Sequence, residues 1–145
     1  MGTWGCRSFE NDSALDWVYL LQKHDDHSFV FDALKLINSQ TNAILVEPAP
    51  THAIAAAEVI AAILGRPSED CPASVKTWIK NKSPIPPPIV AQAIQAVQTI
   101  QSDSSLKRLW RCQEDLEAWE GVLQDLANRL NGAKKKLEKI KYLDV

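Results

Sequence analysis

The chain has 145 residues, enough for one domain that buries a sizeable core without disulfide or metal staples. Its apolar fraction of 46% and charged fraction of 23% are those of an ordinary globular protein, and the formal net charge of -2 gives no reason to expect nucleic acid or an anionic membrane as partner. The charge is unevenly spread: residues 1–70 carry ten acids against four bases, and residues 71–145 eight acids against twelve bases.

The opening seventeen residues are specific for a segment that is usually frayed. They combine Gly2, Trp4, Gly5 and Phe9 with a helix start at Asn11-Asp12-Ser13. The N-terminus lacks a basic segment followed by an apolar one, and Cys6 stands where N-myristoylation requires Ser or Thr, so neither a secretory signal nor a lipid anchor is expected. The first predicted helix runs from about residue 12 to about residue 24, with Leu15, Trp17, Val18 and Leu21 inward. After the loop His24-Asp25-Asp26-His27, Ser28 is expected to cap a second helix that reaches Asn38 and buries Val30, Phe31, Leu34 and Ile37. Residues 39–50 read as a connecting loop.

The third helix is the clearest. Thr51 is the expected cap, Gly65 and Pro67 the stop, and Ala53 to Leu64 is apolar nearly all round, as a central helix must be. It is too short to cross a bilayer, which takes about 20 residues. A short fourth helix is expected to start at Pro72 and to bury Val75, Trp78 and Ile79. The run Pro84-Ile85-Pro86-Pro87-Pro88 reads as extended, either a stiff internal connector or a proline-rich ligand. A fifth helix to about Gln101 aligns Val90, Ile94, Val97 and Ile100. In the last helix, Leu109, Cys112, Leu116, Trp119, Leu123, Leu126 and Leu130 alternate spacings of three and four, which is a heptad seam. The seam serves either the core of this domain or a homodimer through Leu109–Leu130. Asn131-Gly132 predicts a stop, dividing the chain into a domain over 1–131 and a lysine-rich helical tail over 132–145. The tail is either a solvated helix end or a basic docking segment.

Few constellations suggest chemistry. Glu58 is the one charged residue between Ala53 and Leu64, and its one-turn neighbours Ile54, Ala55, Ala61 and Ala62 supply no donor. A buried carboxylate needs a partner or a proton. The expected donors are the backbone amides of Gly2–Gly5 or the Trp4 indole, which would make the N-terminal arm a wall of the domain. Asp12 and Asp16 share a helix face and suit the dipole at its start. The sharper alternative joins Asp12, Asp16 and Glu58 in a carboxylate metal site for a metal-dependent hydrolase. His24 and His27 are a weaker transition-metal pair, and His52 reads as a surface or packing residue. Cys6, Cys71 and Cys112 have no zinc or redox spacing and read as reduced thiols of a cytoplasmic protein. Phosphate-binding glycine loops, nucleophile elbows and zinc-protease motifs are absent from the sequence, and no cofactor is expected.

The opening Gly2-Thr3-Trp4-Gly5, then Phe9, Asn11-Asp12, Ala14 and Asp16-Trp17, resembles the domain of unknown function 4259 family of bacterial proteins. The stretch Ala55 to Ala62 with Gly65-Arg66-Pro67, and Leu109-Trp110 followed by Trp119, are similar to it too, so the resemblance spans about residues 2–130. It implies a small, cytosolic, helical protein and carries over no catalytic residues. The expectation is therefore an all-α, compact single-domain bundle of five or six helices with an ordered N-terminal arm. Its expected role is to bind another protein, a basic one, through the acidic first half, in one version as an inhibitor or immunity protein. Trp4, Asn11, Asp12, Asp16 and Glu58 are the expected binding residues, and exposed tryptophan beside acidic patches is the expected mark of the contact.

Overall fold

The computed structural model describes residues 5–39, 46–82 and 84–143. Those residues form seven helices and no strand: α1 (Asp12–Leu21), α2 (Ser28–Asn38), α3 (Ala49–Ile63), α4 (Ala73–Trp78), α5 (Pro87–Ser102), α6 (Ser105–Cys112) and α7 (Leu116–Leu143). The all-α class holds, with one helix more than five or six.

Helix α3 is the hub. It packs against α1, α2, α5, α6 and α7, and every residue from Ala53 to Ala62 is buried. The alanines explain how one helix takes so many neighbours, because a methyl side chain lets adjoining backbones come close. Its end follows from Gly65, which adopts φ +84°, a left-handed conformation that costs glycine little. There the Arg66 N–H donates to the Ala61 carbonyl and the Gly65 N–H to that of Ala62, which satisfies two otherwise orphaned acceptors. Its start differs from expectation. Thr51 does not cap the helix; it lies inside the first turn, and its hydroxyl donates to the Glu47 side chain.

Other ends show the same local logic. Asn11 caps α1 by accepting from the Ala14 N–H at 2.8 Å, and α1 stops at Leu21 rather than His24. At α2 the capping oxygen belongs to Asp26, which accepts from both the backbone and the hydroxyl of Ser28. In the proline run Pro87 and Pro88 already belong to α5, since the first turn of a helix tolerates a missing N–H. Trp78 ties α4 to the end of α1 by donating its indole N–H to the His24 carbonyl at 2.7 Å.

The long last helix expected from the heptad seam is two helices. Glu114 takes φ 61°, and the Asp115 N–H returns to the Trp110 carbonyl. This is the same closure that ends α3, made here by a residue with a side chain. The seam residues Trp119, Leu123, Leu126 and Leu130 are buried in the domain's own core. These four residues of the seam thus serve the core of this domain. Cys112 points away from it and is exposed. The stop expected at Asn131-Gly132 does not occur either. α7 runs through it, Ala133 is buried, and Leu137 packs partly against the core. Gly132 does not end the helix; it lies against the guanidinium of Arg66, the movable end of a flexible side chain.

Candidate functional site

The N-terminal segment packs on the body from Gly5 onward. Phe9 enters the core, its N–H donates to Asp70 at 3.0 Å, and Arg7 pairs with Glu69 at 3.2 Å. A Cβ at Gly5 would collide with the Glu10 carboxyl, which accepts from the Arg7 N–H at 3.1 Å. Gly2, Thr3 and Trp4 lie outside the described residues, and so does the expected pairing of their donors with Glu58.

Within the described residues Glu58 has a different partner. Its side chain is 2% exposed and faces Arg129 of α7, 71 residues away. The Arg129 Nη2 lies 2.8 Å from Oε1 and donates to Oε2 at 3.3 Å, so the two groups meet off axis and Oε1 has no aligned donor. The Ser8 hydroxyl, buried and without an aligned partner of its own, sits beside the carboxylate. Arg129 is further fixed by the Arg66 carbonyl at 3.0 Å and by Asp125 at 2.8 Å. Burial pushes the Glu58 carboxyl above its usual range, against the opposing pull of the guanidinium. The arrangement explains how a helix built for burial accepts a carboxylate. It offers a cation where a metal site needs a vacancy.

Asp12 and Asp16 are exposed on the outer face of α1. The structure does not bring them to Glu58, and no group of three or more His, Cys, Asp or Glu side chains among the described residues is placed to hold a metal ion. His24 stacks on Phe29 and His27 on Phe31, and the His27 Nε2 is hydrogen-bonded to the Lys82 carbonyl. These two rings are therefore used in packing. His52 is half-buried, and burial holds its imidazole below its ordinary value against the pull of the Ser13 backbone and Asp16.

The outer face of α1 carries what sequence reading missed. Leu15 is 37% exposed, Leu20 45% and Tyr19 62%, while Ala14, Trp17, Val18 and Leu21 face the core. Leu15 and Tyr19 lie four apart beside Asp12 and Asp16, and the Lys23 ammonium sits 4.7 Å from the centre of the Tyr19 ring. Leu15 was expected inside; it flanks the buried stripe instead. The four described tryptophans, Trp17, Trp78, Trp110 and Trp119, are buried, so the exposed aromatic anchor of this face is Tyr19.

No helix among the described residues is long and apolar enough to cross a membrane. Comparison with curated proteins and with solved structures gives no match. A family model, Domain of unknown function (DUF4259), matches residues 2–121, which takes in the N-terminal segment, the whole of α1 to α6 and the first turn and a half of α7. The chain belongs to the domain of unknown function 4259 family.

Proposed function

We propose that the protein is a binding module for another protein and that it makes contact through the outer face of α1. The observation that carries this reading is the exposure of Leu15 and Tyr19, one turn apart on the outer face of α1 beside Asp12 and Asp16, with Leu20 exposed further round the helix beyond them. Single exposed apolar residues are common on protein surfaces, whereas neighbouring ones edged by charge are the usual form of a contact patch. Tyrosine is among the residues that carry most binding energy at such contacts. The acidic flank and the acidic first half of the chain favour a basic partner. An inhibitor or immunity-type protein that covers a basic nuclease or toxin is one form of this reading.

A photo-crosslinking amino acid placed at Tyr19 tests it, with one at the exposed Asn128 of α7 as control. The expected result is an adduct from position 19 with a basic protein of the native host, abolished by Asp12→Lys with Asp16→Lys. Equal adducts from both positions, or an adduct indifferent to the charge reversal, overturn the reading.

A further inference from the structure

A second feature lies at the start of α3, away from the outer face of α1. A cavity of about 310 Å3 opens between the N-terminal segment, the first turn of α3, and helices α6 and α7. That is at the small end of the range for ligand sites, roughly 300–1,000 Å3. Its walls are largely apolar, with Ile54, Leu109, Trp110 and Trp119 among them. Glu47 stands at its edge and is held in place twice. Its backbone N–H donates to the Ser105 hydroxyl at 2.9 Å, and Oε2 accepts from the Thr51 hydroxyl. The other oxygen, Oε1, is buried and has no hydrogen-bond partner among the described residues.

Such an atom is costly to leave unmade. Among the described residues the one cationic side chain that lines the cavity, Arg7, is half exposed and already paired with Glu69. Ser8, Asn11, Ser13 and Ser105 also line the cavity, but none of them donates to Oε1, and Trp110 and Trp119 are among its apolar walls. An ammonium or other N–H donor on a compact apolar body complements all three features: it satisfies Oε1, neutralises the charge and fills the apolar volume. Indole faces also favour a nearby cation. We propose that this cavity binds a small amphipathic amine, with the ammonium on Glu47 Oε1 and the apolar body against Trp110 and Trp119.

The proposal is independent of the α1 contact, and its test reads different residues. In the full-length protein, the indole N–H signals of Trp110 and Trp119 are followed by NMR during titration with 2-phenylethylamine. The same titration with 2-phenylethanol and with 3-phenylpropionate keeps the body and changes the tip. The expected result is saturable shifts of both signals by the amine, at least about tenfold tighter than the alcohol and tighter still than the carboxylate, a gap of about 1.4 kcal/mol. Glu47→Gln is expected to lower the amine to the level of the alcohol. Leu109→Trp, which fills the cavity from α6, is expected to abolish binding of all three. The proposal is overturned if the amine does not saturate by roughly 10 mM, if amine and alcohol bind alike, or if the carboxylate binds best. It is equally overturned if either variant leaves amine binding unchanged.

Discussion

Glu47, two residues before α3, and Glu58, inside it, are carboxylates that burial pushes above the usual range, and they are resolved in opposite ways. At Glu58 the chain supplies a cation, Arg129, which is itself held by Asp125 and the Arg66 carbonyl. At Glu47 it supplies no cation: the Thr51 hydroxyl donates to Oε2, and Oε1 has no hydrogen-bond partner among the described residues. The first carboxylate is closed within the fold and belongs to its architecture. The second is open, and an open charge beside an apolar space is where a ligand gains most. Burial alone thus does not mark a functional acid; the completeness of its hydrogen bonding separates the two.

The comparison breaks most readily at Arg129. Arg129→Met leaves Glu58 buried and uncompensated, and the expected loss of stability is about 3–5 kcal/mol in urea unfolding. Adding Glu58→Gln should recover most of it, because the penalty comes from the orphaned charge. The pH dependence has a definite sign. The carboxyl of Glu58 is raised in the folded state, so its contribution is fully present below the unfolded value near 4.5 and declines as pH rises through the higher folded value. Removing the guanidinium raises the folded value further. The deficit of Arg129→Met relative to wild type should therefore be smaller at pH 4.5 than at pH 8. A deficit independent of pH would show that Arg129 matters for packing and not for charge.

Much of this architecture was legible in the sequence, and the exceptions have physical causes. Helix α3 could be read because an apolar run ending in Gly65 and Pro67 has one plausible burial and one plausible stop. The break between α6 and α7 was hidden because its left-handed residue is Glu114, and no glycine marks it. Conversely Gly132 imitated a stop although α7 runs straight through it. Periodicity singled out Glu58 as anomalous, but its partner comes from 71 residues further on, a separation that no local pattern encodes. Arg129 had a local trace only in its i,i+4 spacing from Asp125. Glu47 gave no signal at all, since a loop acid before a proline is unremarkable until its surroundings are known.

At Glu47 the expected effect is smaller. Thr51→Val keeps the shape of the side chain and removes the hydroxyl that donates to Glu47, which leaves both carboxylate oxygens without a side-chain donor. The expected cost is about 1 kcal/mol in thermal or urea unfolding, the ordinary worth of one such bond. Glu47 is also raised by burial, against the Thr51 hydrogen bonds, so the cost should grow from pH 4.5 to pH 7 as the carboxylate forms. A loss as large as that of Arg129→Met would mean that this carboxylate is as tightly closed in as the other, and the distinction between them would fail.

The smallest effect tests what holds Arg129 in place. Asp125 lies one turn before it on α7, is 68% exposed, and accepts from Nε at 2.8 Å. An exposed i,i+4 pair contributes about 0.3–0.5 kcal/mol, and Asp125→Ala should cost no more than that. Salt screens exposed pairs far better than buried ones, so the difference should fade in roughly 1 M sodium chloride, where the screening length is about 3 Å. The Glu58–Arg129 pair, shielded by α3 and α7, should keep its larger effect in the same salt. If instead Asp125→Ala approached the cost of Arg129→Met, the guanidinium would be positioned from the surface inward, and the closure around Glu58 would depend on a solvent-facing acid rather than on burial.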